Sequence, residues 1–141
     1  MTGLVLDHVG LSVADVDAQA RWYADALGLT ITGRFELPAI GLAGAFVRHP
    51  DGWAIELLHR DGFSPREPFS HPNTALLTSG YGHVCLRVDD LDATHARLLA
   101  AGALERMTPR DSPEPGVRMS FVADPEGNLI ELLDRSGPVG S

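Results

Sequence analysis

The chain has one cysteine, Cys85, and no lysine. A single thiol allows no internal disulfide, so the fold must be held by its own core, and a reducing cytoplasm is the expected compartment. All 11 basic residues are arginine, and 19 Asp and Glu outweigh them for a formal charge of −8. Nucleic acid and anionic membrane surfaces are bound through clustered basic side chains, so neither is expected as a partner. No apolar run approaches membrane-spanning length, and the opening MTGLVLDHVGLSV has neither the basic stretch nor the long apolar run of a secretory signal. What remains is an ordinary globular composition, 44% hydrophobic and 21% charged over 141 residues, enough to bury a core in one domain or two small lobes.

The most informative feature is a duplication. Shifted by 75 positions, residues 8–18 (HVGLSVADVDA) meet 83–93 (HVCLRVDDLDA) with seven identities in eleven. Residues 46–60 (FVRHPDGWAIELLHR) meet 121–135 (FVADPEGNLIELLDR) with nine in fifteen, without a gap. Repetition at a fixed period marks repeated structural units. His8 falls on His83 and Glu56 on Glu131, so two metal-ligand residue types recur at equivalent places.

The apolar period switches in the same order in each copy. Residues 4–13 read as a strand. Asp15 then caps a helix with the stripe Val16, Ala20, Tyr23 and Leu27, ended by Gly28. Strands follow near 30–36, 42–49 and 53–60, the last two joined by the turn His49-Pro50-Asp51-Gly52. The second copy repeats this with a strand at 82–89, a helix at 91–101 capped by Asp90, strands near 103–108 and 117–123, the turn Asp124-Pro125-Glu126-Gly127 and a strand at 128–134. The expected fold class is therefore α+β, with two tandem β-α-β-β-β modules at 1–60 and 81–135, a linker at 61–80 and a tail at 136–141.

Alternate strand residues point to opposite faces of a sheet. Leu6, His8, Gly10 and Ser12 share one face, and Asp7, Val9, Leu11 and Val13 belong under the helix. Tyr81, His83, Cys85 and Arg87 correspond in the second copy, with Ala54, Glu56, Leu58 and Leu129, Glu131, Leu133 on the closing strands. Each His and Glu thus stands on the face away from its helix. His49, His59 and His95 read as structural or surface residues, and His71 as a solvated loop histidine.

The segments D-H-V-G-L-S-V-A-D, G-H-V-C-L-R-V-D-D-L-D-A and D-P-E-G-N-L-I-E-L-L resemble the vicinal oxygen chelate superfamily, which includes glyoxalase I, methylmalonyl-CoA epimerase, extradiol dioxygenases and bleomycin-binding proteins. The resemblance spans residues 4–135. It implies that the modules form an open, partly closed barrel around a metal site, with His8, Glu56, His83 and Glu131 as ligands to one divalent ion. Imidazole and carboxylate donors suit Zn, Ni, Co, Mn or Fe(II). Four ligands on an octahedral ion leave two positions for adjacent substrate oxygens. The ion then acts as Lewis acid on an enediolate, and a ligand carboxylate, Glu131 with Glu56 as its competitor, carries the proton. Arg87, Tyr81, Leu58 and Leu133 are candidate substrate contacts, within an apolar wall that also includes Leu6 and Leu129. A small-molecule substrate and a homodimer are expected.

Departures from the resembled subfamilies narrow the activity. Glutathione-dependent glyoxalases usually have Arg four residues after the first His and Asn four after the first Glu, where this chain has Ser12 and Arg60. The second catalytic Glu of the epimerases corresponds to Gly44. No His occurs between 96 and 141, and Val122 stands near the dioxygenase Tyr, which argues against catechol ring cleavage. The reading is a glyoxalase-I-like, metal-dependent lyase or isomerase acting on a small 2-oxo or 2-hydroxycarbonyl compound. The alternative is a metal-independent small-molecule or antibiotic-binding resistance protein of the bleomycin-resistance type.

Overall fold

A computed structural model describes residues 3–140 as two compact units, divided between Arg66 and Glu67. In the first, strand β1 (His8–Ser12) leads to helix α1 (Val16–Leu27), then β2 (Thr30–Leu37), β3 (Leu42–Arg48) and β4 (Ala54–Arg60). In the second, a short helix α2 (Pro72–Ala75) precedes β5 (His83–Arg87), α3 (Leu91–Ala100), β6 (Leu104–Asp111), β7 (Arg118–Ala123) and β8 (Leu129–Asp134). The expected β-α-β-β-β order is present in both.

Each unit forms a four-stranded mixed sheet, in the order β1-β4-β3-β2 or β5-β8-β7-β6. The first strand pairs parallel with the last and the other contacts are antiparallel. Asp15 Oδ1 accepts from the Ala18 N–H at 2.9 Å, and Asp90 Oδ1 from Ala93 at 3.0 Å, satisfying amide donors at the start of α1 and α3. Gly28 ends α1 with φ 68°, a left-handed conformation that glycine adopts without penalty.

The helices cover one face of each sheet. Val13, Ala20, Tyr23, Ala45, Val47 and Leu57 are buried in the first unit, and Leu91, Leu98, Val122, Ile130 and Leu132 in the second. This helix-side core uses the parity read from the sequence.

Several details depart from that reading. The strand expected from residue 4 begins at His8, because its pairing starts with His8 opposite Ala54, the first residue of β4. Residues 4–7 lie ahead of the paired stretch of β1, and Leu4, Val5 and Leu6 are 82%, 93% and 76% exposed. Leu6 is therefore outside the apolar wall, and Asp7 is outside the row under the helix. Tyr81 lies ahead of β5 for the same reason and is fully exposed. Residues read as a plain linker contain α2, where His71 Nδ1 accepts from the Asn73 N–H at 3.1 Å. Phe69 and Ala75 pack on Ala123 and Leu129, so Leu129 is covered by its own chain and is not free wall.

Candidate metal and active site

The first half of the site is built on adjacent strands. Gly10 of β1 stands opposite Glu56 of β4, and Phe46 of β3 stands opposite Glu56 on its other side. His8 Nε2 lies 3.6 Å from Glu56 Oε1, and the Phe46 ring meets the imidazole edge-on at 5.3 Å. His8 Nδ1 is held by Asp7 Oδ2 at 2.7 Å. That hydrogen bond, helped by the charge of Glu56 and opposed by partial desolvation, holds the His8 imidazole above its ordinary pKa.

The second half repeats the arrangement. Cys85 stands opposite Glu131, and Phe121 flanks it from β7. His83 Nε2 lies 3.0 Å from Glu131 Oε2, with Phe121 edge-on to the imidazole at 5.2 Å. Two differences separate the halves. Gly82 occupies the place of Asp7, and Cys85 that of Gly10. The Cys85 thiol reaches solvent as a residue, yet local desolvation, with the charge and hydrogen bond of Glu131, pushes its pKa up to about 12. Burial and the neighbouring Glu131 carboxylate thus favour the protonated thiol at Cys85.

The donor set can be tested against an ion. Two ligands about 2.1 Å from one centre and about 90° apart lie about 3 Å from each other. The 3.0 Å pair meets this directly, and the 3.6 Å pair must close by about half an ångström. The Asp7 bond to Nδ1 also leaves Nε2 as the donor facing Glu56, the outer-shell arrangement typical of a ligating histidine. The residues therefore fit a divalent ion pair by pair. Among the described residues, no three or more His, Cys, Asp or Glu side chains form one metal-ligating group.

The remaining residues singled out in the sequence divide clearly. Leu58 continues the site face of β4, whereas Leu133 is 8% exposed. Arg87 Nη2 donates to the Gly137 carbonyl at 2.9 Å. His49 Nδ1 accepts from the Asp51 N–H at 3.0 Å, doing for its turn what Asp124 Oδ1 does in the second copy by accepting from Glu126 and Asn128. His59 Nδ1 lies 2.9 Å from the Val13 carbonyl oxygen. His95 is buried, bridging Ser120 Oγ and Glu105 Oε2 at 2.8 Å each. These three histidines are structural. Sequence reasoning missed Asp7, Phe46 and Phe121 as site residues, although the aligned Phe-Val pairs at 46 and 121 were a usable signal.

Gly44 is also explained. A Cβ there would lie 2.3 Å from Phe35 Cζ, so the ring of Phe35 occupies the space that a side chain at this position would enter.

Residues 5–132 match the glyoxalase/bleomycin resistance protein/dioxygenase superfamily. The chain belongs to that family. It is 36% identical over 133 residues to an ethylmalonyl-CoA/methylmalonyl-CoA epimerase of Cereibacter sphaeroides, covering 90% of this chain and 95% of the relative. It is 30% identical over 132 residues to a lactoylglutathione lyase of Haemophilus influenzae, covering 90% of each. The fold matches glyoxalase I from Zea mays with a TM-score of 0.75 at 20% identity; the match covers 94% of this chain and 45% of the maize protein. The curated relatives bear enzyme names, in agreement with the expectation of an enzyme. No helix among the described residues is long and apolar enough to cross a membrane.

Proposed function

We propose that this family member is a metal-dependent, glyoxalase-like lyase or isomerase acting on a small 2-oxo or 2-hydroxycarbonyl compound. In this reading His8, Glu56, His83 and Glu131 together hold one divalent ion, with the two half-sites supplied by one chain or by two. The observation that carries it is the repetition of a close His–carboxylate pair, flanked by an edge-on Phe, at the same register position of both sheets. When bound, the ion supplies Lewis-acid stabilisation of the negative charge that develops on a carbonyl oxygen.

The chain's own groups do the rest. Glu131 takes a proton at a carboxylate oxygen from the carbon beside the carbonyl and returns it to the product. Its side chain is 14% exposed against 21% for Glu56, and the Cys85 thiol supports it where Gly10 leaves Glu56 unsupported. A better enclosed and positioned carboxylate is the better proton carrier. The Phe rings meet both imidazoles edge-on and restrict their rotation. Ser12, Arg60 and the Phe35-covered Gly44 argue against the glutathione adduct and methylmalonyl-CoA as best substrates. The relatives named as enzymes do not favour a binding protein without chemistry.

The test is α-hydrogen exchange in D2O with the metal-loaded protein, followed by proton NMR on a panel of 2-hydroxycarbonyl compounds including hydroxyacetone. Exchange is expected, with Glu131→Gln slowing it by about 100-fold or more, the scale of a lost general base. Unchanged exchange in that variant removes Glu131 from the role. Efficient turnover of the methylglyoxal–glutathione hemithioacetal overturns the substrate assignment.

A further inference from the structure

The sheet face of the second unit that carries Glu131 is partly covered by its own chain. His83, Leu129 and Ala123 stand side by side across the sheet, and Cys85, Glu131 and Phe121 form the next row, about 7 Å along the strands. Ala123 and Leu129 are buried together with Ala75 of α2, and the half-buried Phe69 packs against them. An apolar wall therefore stands one row from Glu131, on its His83 side.

The covering segment is held at several points. Pro72 opens α2, His71 Nδ1 accepts from the Asn73 N–H, and Thr74 Oγ1 donates to the His71 carbonyl at 2.7 Å. A Cβ on Gly127 would lie 2.8 Å from Pro68 Cβ, and one on Gly82 would lie 3.7 Å from Ala75 Cβ. The segment thus rests on the β7–β8 turn and on the approach to β5, and Pro65, Pro68 and Pro72 restrict its backbone. The duplication supplies the contrast. In the first unit the same row is His8, Ala54 and Arg48. Alanine takes the place of Leu129, and an exposed arginine that of the fully buried Ala123, so this row offers a charged position where the second unit seats its cover.

We propose that Phe69 and the segment behind it set the size limit of the site on the Glu131 side: the carbon that gives its proton to Glu131 can carry hydrogen or methyl but no longer chain, and the rest of the substrate extends away from Glu131. This deepens, and rests on, the assignment of Glu131 as proton carrier given above. A carbon in position to give up its proton lies about 3–3.5 Å from the carboxylate, roughly half of the 7 Å to the next row. A chain growing towards that row meets Phe69 and Leu129 within one or two bonds. Moving these side chains aside is costly, because they are packed on Ala75 and Ala123.

The experiment is calorimetric binding, to the whole metal-loaded protein, of two isomeric six-carbon hydroxyketones. Propioin carries an ethyl group on both sides of its two oxygens, so one ethyl must face the wall in either orientation. Its isomer 1-hydroxyhexan-2-one has a butyl group on one side and only hydrogens on the other. The isomer should bind at least about tenfold more tightly, the scale of one methylene that a filled pocket cannot take. Phe69→Ala should abolish that preference, Phe69→Leu should reduce it, and Leu76→Ala, in the exposed part of the same segment, should leave it in place. Phe69→Leu keeps an apolar side chain on Leu129 and decides the matter if Phe69→Ala does not fold. Equal binding of the two isomers by the unaltered protein overturns the proposal, as does an undiminished preference in both Phe69 variants. Because the readout is binding, a Phe69-dependent preference without α-hydrogen exchange upholds the wall and rejects the reaction, while exchange without the preference does the reverse.

Discussion

The imidazole of His8 is gripped from both sides, by Asp7 at Nδ1 and by Glu56 near Nε2, whereas His83 has Gly82 where Asp7 would be. The two histidines proposed as ligands are therefore not equivalent. In the metal-free protein, His8 should titrate above the ordinary value of 6.5, and Asp7→Asn should bring it back down, as read by NMR of the ring protons. The sign follows from linkage. A folded-state pKa above the unfolded one contributes stability that is fully present below the unfolded value and is lost as pH rises through the folded value. Metal binding needs the proton-free ring, so uptake should weaken as pH falls through the raised pKa, and Asp7→Asn should move that loss to lower pH. A His8 titration unchanged by Asp7→Asn would contradict the assigned cause. The four His and Glu positions were legible because both copies show them. Asp7 was not, because it acts in one copy only, and Cys85 was legible by strand parity as a site-face residue but not as a partner of Glu131. His95 shows the same limit: its buried contacts with Ser120 and Glu105 replace Ala20, Ala45 and Thr30 of the first copy, a polar network that only three-dimensional proximity reveals.

At the scale of elements, helices α1 and α3 and the β-α-β-β-β succession along the chain followed from apolar periodicity and the capping aspartates, since those signals are local. Strand ends depended on the partner. Residues 4–7 have strand-like composition but precede the first paired position, His8 opposite Ala54, so β1 begins only there. The β2–β3 pair shows how tightly elements constrain side chains. Gly44 lies under Phe35, and the register of that pair shifts between Thr32 and Phe35. Gly44→Ala should force the ring aside and cost about 1–3 kcal/mol, the range for overpacking. Urea unfolding measures this as a lower midpoint with an unchanged slope. An unchanged midpoint would mean that Phe35 moves without penalty.

For the whole molecule, each unit by itself brings together two of the four expected ligands, and Leu4, Val5 and Leu6 are left in solvent. Exposed apolar residues favour association with a second copy. The chain should therefore be a homodimer with two equivalent ions, and His83→Ala should sharply lower metal content by elemental analysis while preserving the fold. A monomer by light scattering at micromolar concentration would reject the assembly, and full metal occupancy with two of the four ligands removed would place the site elsewhere.

The sequence alone determined the duplication, the family, the β-α-β-β-β order and the face of each sheet that carries His and Glu. Those properties are written in identities and in periods of 2 and 3.6 residues, which need no partner to be read. Only the tertiary structure decided the spacing of each His–Glu pair, the Phe edge beside each imidazole, the thiol resting on Glu131 and the packing of Phe69 and Ala75 over Leu129. These depend on strand register and on residues distant in sequence. A repeat aligned with itself shows which residues are equivalent, but not which of two equivalent strand rows the folded chain covers.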